Sequence, residues 1–237
     1  MTNEELIKKY VDKSQWDESF KKLESGIPVQ YIIGNVDFYG NVINVDERVL
    51  IPRFETENLV AKTINYAKKI FSNSISIVDL GTGSGCIAIT LKKELDSRVV
   101  AIDISQDALN LAKENAVNNN VEIEFKLGNM REILPEKYDL IISNPPYIPN
   151  DGFVAKIVRD NEPNLALFAE DNGLFYYKKI LSYAFDCLNK PGLIAFEIGD
   201  NQKELLEEYL KNNFNEIKYQ FETDLVGLYR YLFIFNE

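Results

Sequence analysis

The chain has 237 residues, of which 46% are apolar, and it contains no histidine. A chain of this length can bury roughly 70% of the surface exposed by its unfolded form, which suits one catalytic domain with a small appendage. The formal charge of −11 disfavours a polyanionic partner, and no apolar run predicts a membrane span. With no basic-then-apolar leader, a cytoplasmic location is expected. Cys86 and Cys187 lack metal-ligand spacing, so no metal is expected.

The first part of the chain predicts two short helices, over residues 3–11 and 14–24. A β-hairpin is predicted next, over residues 36–45, with its turn at Gly40-Asn41. Three units follow from these elements: a short helical segment, a linker that contains the hairpin, and a catalytic domain, over residues 1–26, 27–48 and 49–237.

Downstream of the hairpin, Thr56 is placed to cap a helix that runs to about Phe71. Short apolar runs then alternate with helical patterns, which predicts parallel strands joined by crossover helices. A short loop containing Gly227 separates the last two runs and predicts an antiparallel hairpin. The seven predicted strands cover residues 75–80, 98–103, 122–127, 138–142, 192–198, 216–222 and 229–235. The fold class is therefore α/β, Rossmann-like, with a mainly parallel seven-stranded sheet.

A glycine-rich turn follows the first of these strands. It consists of Gly81, Thr82, Gly83, Ser84 and Gly85. Glycines at alternate positions let the backbone approach a ligand, and the helix that follows offers free N–H groups to an anionic or polar partner. The turn therefore indicates a nucleotide-like cofactor.

The next predicted strand ends at Asp103, 22 residues after Gly81, which is the spacing expected of an acid that binds ribose hydroxyls. Taken alone, this carboxylate is also typical of a solvated strand end. Together with the turn it favours a nucleoside. The glycines form G-x-G-x-G rather than the dinucleotide pattern G-x-G-x-x-G, and Asp79 suits an ammonium group. S-adenosylmethionine, a nucleoside that carries an amino acid, meets both conditions.

Asn144, Pro145, Pro146 and Tyr147 follow a buried-strand pattern that would place them at the carboxyl edge of the sheet, where open α/β sheets bind ligands. The prolines fix the backbone, so an amide and a phenol leave the sheet rigidly. The Asn144 oxygen and the Pro145 carbonyl could accept both N–H bonds of a planar amino group while the Tyr147 ring lies against its face. The alternative is an ordinary proline-rich turn.

These segments resemble class I methyltransferases that act on planar amino nitrogens, and further segments resemble the HemK/PrmC group, the glutamine methyltransferases of peptide chain release factors. The segments that carry the resemblance are residues 79–85, 103, 144–147, 28–34, 50–57, 162–167 and 224–227 with Arg230. The resemblance extends from about Gly26 to the end of the sequence.

The resemblance implies a role for each segment. The glycine turn, Asp79, Asp103, Ile104 and Asn144 would hold S-adenosylmethionine, and residues 50–57 would wall its pocket. Gly128, Asn129 and Met130 would border the adenine. Asn144, Pro145, Pro146 and Tyr147 would bind the target glutamine in the Gly-Gly-Gln loop of a release factor and would carry the catalysis. Stable nucleic acid binding is not expected.

The sequence departs from the family pattern at Phe54, where proline is usual, at Asn129, where aspartate is usual, and over residues 169–173. Its helical segment before Gly26 is also shorter than the family's substrate-docking domain. Two alternatives stay open: an adenine or cytosine amino-methyltransferase that acts on nucleic acid, and a non-catalytic module that binds the cofactor.

Overall fold

The structure, a computed structural model, describes residues 1–132 and 134–237. The helices are α1 Asn3–Tyr10, α2 Trp16–Glu24, α3 Val29–Ile33, α4 Phe54–Ile70, α5 Cys86–Glu94, α6 Gln106–Asn118, α7 Lys156–Asn161, α8 Phe175–Ala184 and α9 Lys203–Asn213. The strands are β1 Asn35–Phe38, β2 Asn41–Asn44, β3 Ile75–Leu80, β4 Ser97–Asp103, β5 Glu124–Leu127, β6 Tyr138–Ser143, β7 Ile148–Pro149, β8 Phe168–Ala169, β9 Leu188–Glu197, β10 Lys218–Thr223 and β11 Tyr229–Asn236.

A seven-stranded sheet forms the centre of the fold, in the order β10-β11-β9-β6-β3-β4-β5. Strands β9, β6, β3, β4 and β5 run parallel. Strand β11 is antiparallel to β9, and β10 is antiparallel to β11, so the predicted C-terminal hairpin lies at one edge. The predicted seven-stranded, mainly parallel sheet is therefore confirmed.

Side chains that point alternately to the two faces of the central strands divide the core into two layers. On β3, Ile77 packs in the layer that contains α4, α5 and α6, whereas Val78 packs in the layer that contains α8 and α9. Successive strand residues point to opposite faces, so a strand covered on both sides is apolar at nearly every position. Strand β3 accordingly exposes almost none of its side chains, and its carboxyl end delivers the glycine turn to the edge of the sheet.

The hairpin of β1 and β2 packs against the layer that contains α4, α5 and α6 rather than standing apart from it. Phe38 and Ile43 are fully buried in the α4-α5-α6 layer. The Asn115 side chain on α6 accepts a hydrogen bond from Asn44 N and donates one to Asn44 O, at 2.8 and 3.0 Å. The prediction of a turn at Gly40-Asn41 is wrong by one residue: the turn is at Tyr39-Gly40, both with positive φ, and Asn41 already pairs with Phe38.

The predicted capping role of Thr56 is wrong. Helix α4 begins at Phe54, its cap residue is Arg53, and no side chain caps it. Thr56 lies inside the first turn and is buried, so its hydroxyl serves a tertiary contact instead of the helix end. Other predicted boundaries differ by a few residues. Strand β5 begins two residues later than predicted, at Glu124, and β9 begins four residues earlier, at Leu188.

Candidate active site

The carboxyl ends of β3, β4 and β6 border a cavity of about 300 Å³. The site is a topological switch point, because the chain passes from β3 to β4 on one side and returns to β6 on the other. Most of the predicted site residues line this cavity: Gly81, Thr82, Gly83, Ser84, Asp103, Ile104, Asn129, Met130, Asn144 and Pro146. Four others are not among its lining residues: Asp79, Gly85, Pro145 and Tyr147.

The glycine turn needs glycine at each of its three positions. Gly81, Gly83 and Gly85 have φ of +77°, +54° and +82°, a region that other residues rarely adopt. A Cβ on Gly81 would lie 2.6 Å from Met130 Cε, whereas a Cβ on Gly83 would meet no atom within 4 Å. The backbone of Gly83 is therefore open to a ligand. Helix α5 follows without a side-chain cap, so its first N–H groups are available as donors.

Asp103 fixes the turn as well as bordering the cavity. One carboxylate oxygen accepts a hydrogen bond from Gly83 N at 2.8 Å, and the other accepts one from Ser105 N at 2.9 Å. Burial raises the pKa of this carboxyl. Each carboxylate oxygen has a second lone pair, so the predicted contact with ribose hydroxyls remains available. The strand-end spacing predicted a ligand contact and gave no sign of the contact with Gly83.

Asp79 lies under the turn and is fully buried. Its Oδ2 accepts a hydrogen bond from the Thr82 hydroxyl at 2.6 Å, and its Oδ1 has no partner among the residues that the structure describes. Burial raises the pKa of this carboxyl to about 7. A cavity of this size, a glycine backbone open to a ligand and an unsatisfied acceptor beneath it fit a nucleoside that carries an ammonium group.

The opposite rim of the cavity holds the residues predicted to border an adenine. Gly128, Asn129 and Met130 follow β5, and all three line the cavity. The Asn129 side-chain oxygen accepts hydrogen bonds from Arg131 N and Nε, both at 3.0 Å. Its NH₂ group is therefore the part that remains for a ligand. Asn129 thus offers the cavity a donor, where the family's usual aspartate offers an acceptor.

A buried hydrogen-bond chain ends at Asn144. The Asn144 side-chain nitrogen donates to Thr56 Oγ1 at 3.1 Å, and the Thr56 hydroxyl donates to Glu197 Oε2 at 2.7 Å. With its NH₂ group held on Thr56, the amide leaves its oxygen as the free acceptor. Glu197 is 2% exposed, and burial raises the pKa of its carboxyl to about 7.

Residues 144–147, which follow β6, form the corner of the site. Tyr147 is fixed by contacts behind this corner. Its hydroxyl donates to Glu197 Oε1 at 3.5 Å, and its carbonyl accepts a hydrogen bond from Gln202 Nε2 at 2.8 Å. Gly173 packs against the same carbonyl, at the end of a stretch in which Asp171, Asn172 and Gly173 all have positive φ. The unassigned departure over residues 169–173 therefore falls on the support of the corner.

Two segments named in the sequence analysis close the side of the cavity. Residues 50–57 contribute Leu50, Pro52, Arg53 and Thr56 to its lining, and residues 162–167 contribute Pro163, Leu165 and Ala166. Glu162 joins them, because its carboxylate accepts hydrogen bonds from Ile51 N at 3.0 Å and Arg53 Nη2 at 2.5 Å. Phe54, the other departure from the family pattern, is 58% exposed beside this junction.

Sequence reasoning missed Glu197 and Gln202 and misassigned Thr56. One signal pointed to Glu197: it is the only charged residue in the apolar run of residues 193–198. A carboxylate in a strand that is buried on both faces needs a partner or a function. Gln202 gave no comparable signal, because its neighbours in sequence do not predict a contact with Tyr147.

Comparison with known proteins agrees with this fold. A family model described as "Methyltransferase small domain" matches residues 56–165. Two solved structures share the fold: the ribosomal protein L11 methylase from Lactobacillus delbrueckii subsp. bulgaricus and a methyltransferase from Pyrococcus furiosus. The first has a TM-score of 0.56 and 24% identity and covers 81% of this chain and 83% of its own. The second has a TM-score of 0.59 and 21% identity and covers 83% and 89%. Fold, cavity and matches define a class I methyltransferase that uses S-adenosylmethionine.

Sequence relatives narrow the class. The release factor glutamine methyltransferase of Streptococcus pneumoniae is 42% identical over 219 residues, which is 91% of this chain and 77% of that protein. The protein of the same name from Flavobacterium psychrophilum is 45% identical over 206 residues, covering 82% and 72%. The chain belongs to the release factor glutamine methyltransferase family. Within residues 1–132 and 134–237, no helix is both long and apolar enough to cross a membrane.

Proposed function

We propose that this protein transfers the methyl group of S-adenosylmethionine to the side-chain amide nitrogen of the glutamine in the Gly-Gly-Gln loop of a peptide chain release factor. The observation that carries the proposal is the Asn144 amide. Its nitrogen is held by Thr56, which leaves its oxygen free at the rim of the cavity bounded by the glycine turn. The names of the relatives at 42% and 45% identity support the same substrate.

In this proposal Asn144 Oδ1 and the Pro145 carbonyl accept the two N–H bonds of the target amide. The nitrogen then turns its lone pair toward the cavity, and donating both hydrogens raises its electron density. When bound, S-adenosylmethionine supplies an electrophilic methyl group. No strong base is required, because the proton leaves after the new N–C bond has made the nitrogen acidic. The chain accordingly has no histidine, and the buried acids Asp79, Glu162 and Glu197 do not line the cavity.

The expected partner is a folded release factor in the cytoplasm, rather than nucleic acid or a membrane. A formal charge of −11 opposes phosphate binding. Helices α1 and α2 contact α3, and Asn161 donates a hydrogen bond to Gly26 O at 2.9 Å. Residues 1–26 therefore join the molecule beside α7, and we assign to them the role of a reduced docking domain, with residues 49–237 as the methyltransferase domain.

The test is a competition for labelled methyl groups among a whole release factor, a free Gly-Gly-Gln peptide and DNA. The factor should become labelled on glutamine and should outperform the peptide, because contacts away from the reacting amide hold the loop in the attack geometry. Asn144→Ala should lose on the order of 10²-fold in single-turnover rate. A methyl group found on adenine or cytosine would show that the acceptor is nucleic acid rather than release factor glutamine. Cofactor binding without any methyl transfer would indicate a non-catalytic module.

A further inference from the structure

The buried carboxylate of Glu197 stands two hydrogen bonds from the amide that holds the substrate. Its Oε2 accepts from Thr56, and Thr56 accepts from Asn144. Neither lysine nor arginine lies within 4.0 Å of the Glu197 oxygens among the residues that the structure describes. Burying an acid without a cation costs free energy of folding. Here the hydrogen bonds of that acid lead through Thr56 to Asn144, the residue proposed to hold the reacting amide.

A threonine hydroxyl has one proton, so the group that takes this proton decides what Thr56 can offer to Asn144. An ionised carboxylate only accepts hydrogen bonds, and it therefore claims the Thr56 proton. Thr56 can then only accept from Asn144, which forces the amide to turn its NH₂ group to Thr56 and its oxygen to the substrate. A protonated Glu197 can itself donate. Thr56 is then free to donate to Asn144, and an amide rotated to accept that proton presents its NH₂ group to the substrate.

We propose that Glu197 is a positioning residue that sets the orientation of the Asn144 amide through Thr56, so that methyl transfer requires its ionised form. The inference rests on the proposed function only in taking Asn144 as the residue that accepts the N–H bond of the target. The proposal predicts an acid limb in the pH profile, that is, a fall in turnover at low pH as Glu197 becomes protonated, even though no general base takes part. The relay also explains why Thr56 occupies the first turn of α4 without capping it.

The surroundings of Glu197 bring the pKa of its carboxyl toward neutrality. The charged and titratable groups facing it are Tyr147, Tyr177, Tyr231, Cys86, Glu55 and Arg230. Burial raises the pKa of all three tyrosines above the usual value and that of the Cys86 thiol to about 12. Burial without a close cation raises the pKa of Glu197 to about 7, and Arg230 partly offsets the repulsion from Glu55.

The experiment measures single-turnover methyl transfer from pH 5.5 to 8 on the wild type and four variants. Thr56→Val keeps the shape and breaks the relay, so its rate should fall on the order of 10²-fold and its acid limb should disappear. Thr56→Ser restores the hydroxyl and should restore both. Glu197→Gln cannot ionise and should lose the limb. Thr63→Val is the matched control, because its buried hydroxyl, also on α4, donates to Leu59 O within the helix and to no other acceptor among the described residues.

Two results would overturn the inference. One is a wild-type rate that does not fall between pH 8 and 5.5. The other is an acid limb that persists in Thr56→Val, which would assign it to a second group such as Asp79, whose carboxyl does not contact Thr56. Failure of the proposed function is separate: the wild type would then methylate an acceptor other than release factor glutamine, and the same profiles would be measured on that acceptor.

Discussion

Gly173 is the position where a single methyl group tests whether the corner at Asn144 must be held rigidly. Its φ is +82°, and a Cβ there would lie 2.9 Å from the carbonyl carbon of Tyr147 and closer still to the oxygen. Carbon and oxygen in weak contact stay roughly 3.3 Å apart, so the Tyr147 peptide has to retreat by on the order of 1 Å. Pro145 and Pro146 have fixed φ, and they transmit this shift to Asn144 rather than absorb it.

Gly173→Ala should therefore lose on the order of 10²-fold in single-turnover rate, which is the cost of a misplacement near 1 Å. Calorimetry should show a much smaller loss of cofactor affinity than of rate, because Asn144 and Pro146 are the part of the cavity lining that moves, whereas the glycine turn and Asp103 lie on other strands. Gly40→Ala is the matched control: its φ is +75°, and a Cβ there meets nothing within 4 Å. Alanine in this left-handed backbone conformation should cost a similar free energy of folding, roughly 1–2 kcal/mol. The single-turnover rate of this control should nevertheless match the wild type. Equal rates in the two variants would refute the reasoning.

Two further predictions concern acidic residues, Asp103 at the cavity and the buried pair Asp79 and Glu197. Asp103→Ala should weaken binding of S-adenosylmethionine by about tenfold or more, since a hydrogen bond to a charged group contributes roughly 1.5–3 kcal/mol. Unchanged affinity by calorimetry would remove both its ribose role and the importance of its bond to Gly83. The pKa values of Asp79 and Glu197 rise to about 7 on folding, so the folded state holds more protons and stability should fall as pH rises from about 4 to 7. Denaturant unfolding should show a loss on the order of 3 kcal/mol per group, and Glu197→Gln should remove its share; a pH-independent midpoint contradicts this.

The sequence predicted those parts of the site that each consist of a short continuous segment. The glycine turn, Asp103 and the corner at residues 144–147 each follow a strand, and strand ends of a parallel sheet meet at one edge. Their types were also readable, because G-x-G-x-G demands positive φ and two prolines demand a rigid exit. Local pattern and tertiary position agree at these places, and the predicted residues meet around one cavity for that reason.

The supports of the site could not be predicted in the same way. Thr56 carried a plausible local role as a helix cap, and a partner 141 residues away in sequence, Glu197, took its hydroxyl instead. Gln202 and Gly173 meet Tyr147 only because α9 and the 169–173 segment fold beneath the corner. Contacts of this kind depend on how layers pack, and residue spacing carries no record of them. Local propensity is a weak guide wherever a polar side chain finds a buried partner.

Glu197 lowers stability at the pH where the protein is expected to work, and an apolar residue would suit its strand better. Residues 193–196 and 198 are all fully buried and apolar, so the strand pattern favours another such residue at 197. Local rules are broken at functional sites more often than elsewhere. The carboxylate has a specific use here, since only a group that accepts and never donates fixes which way Thr56, and through it Asn144, points its proton. In the proposed relay, the orientation of the Asn144 amide is therefore set by a buried carboxylate that does not itself line the cavity.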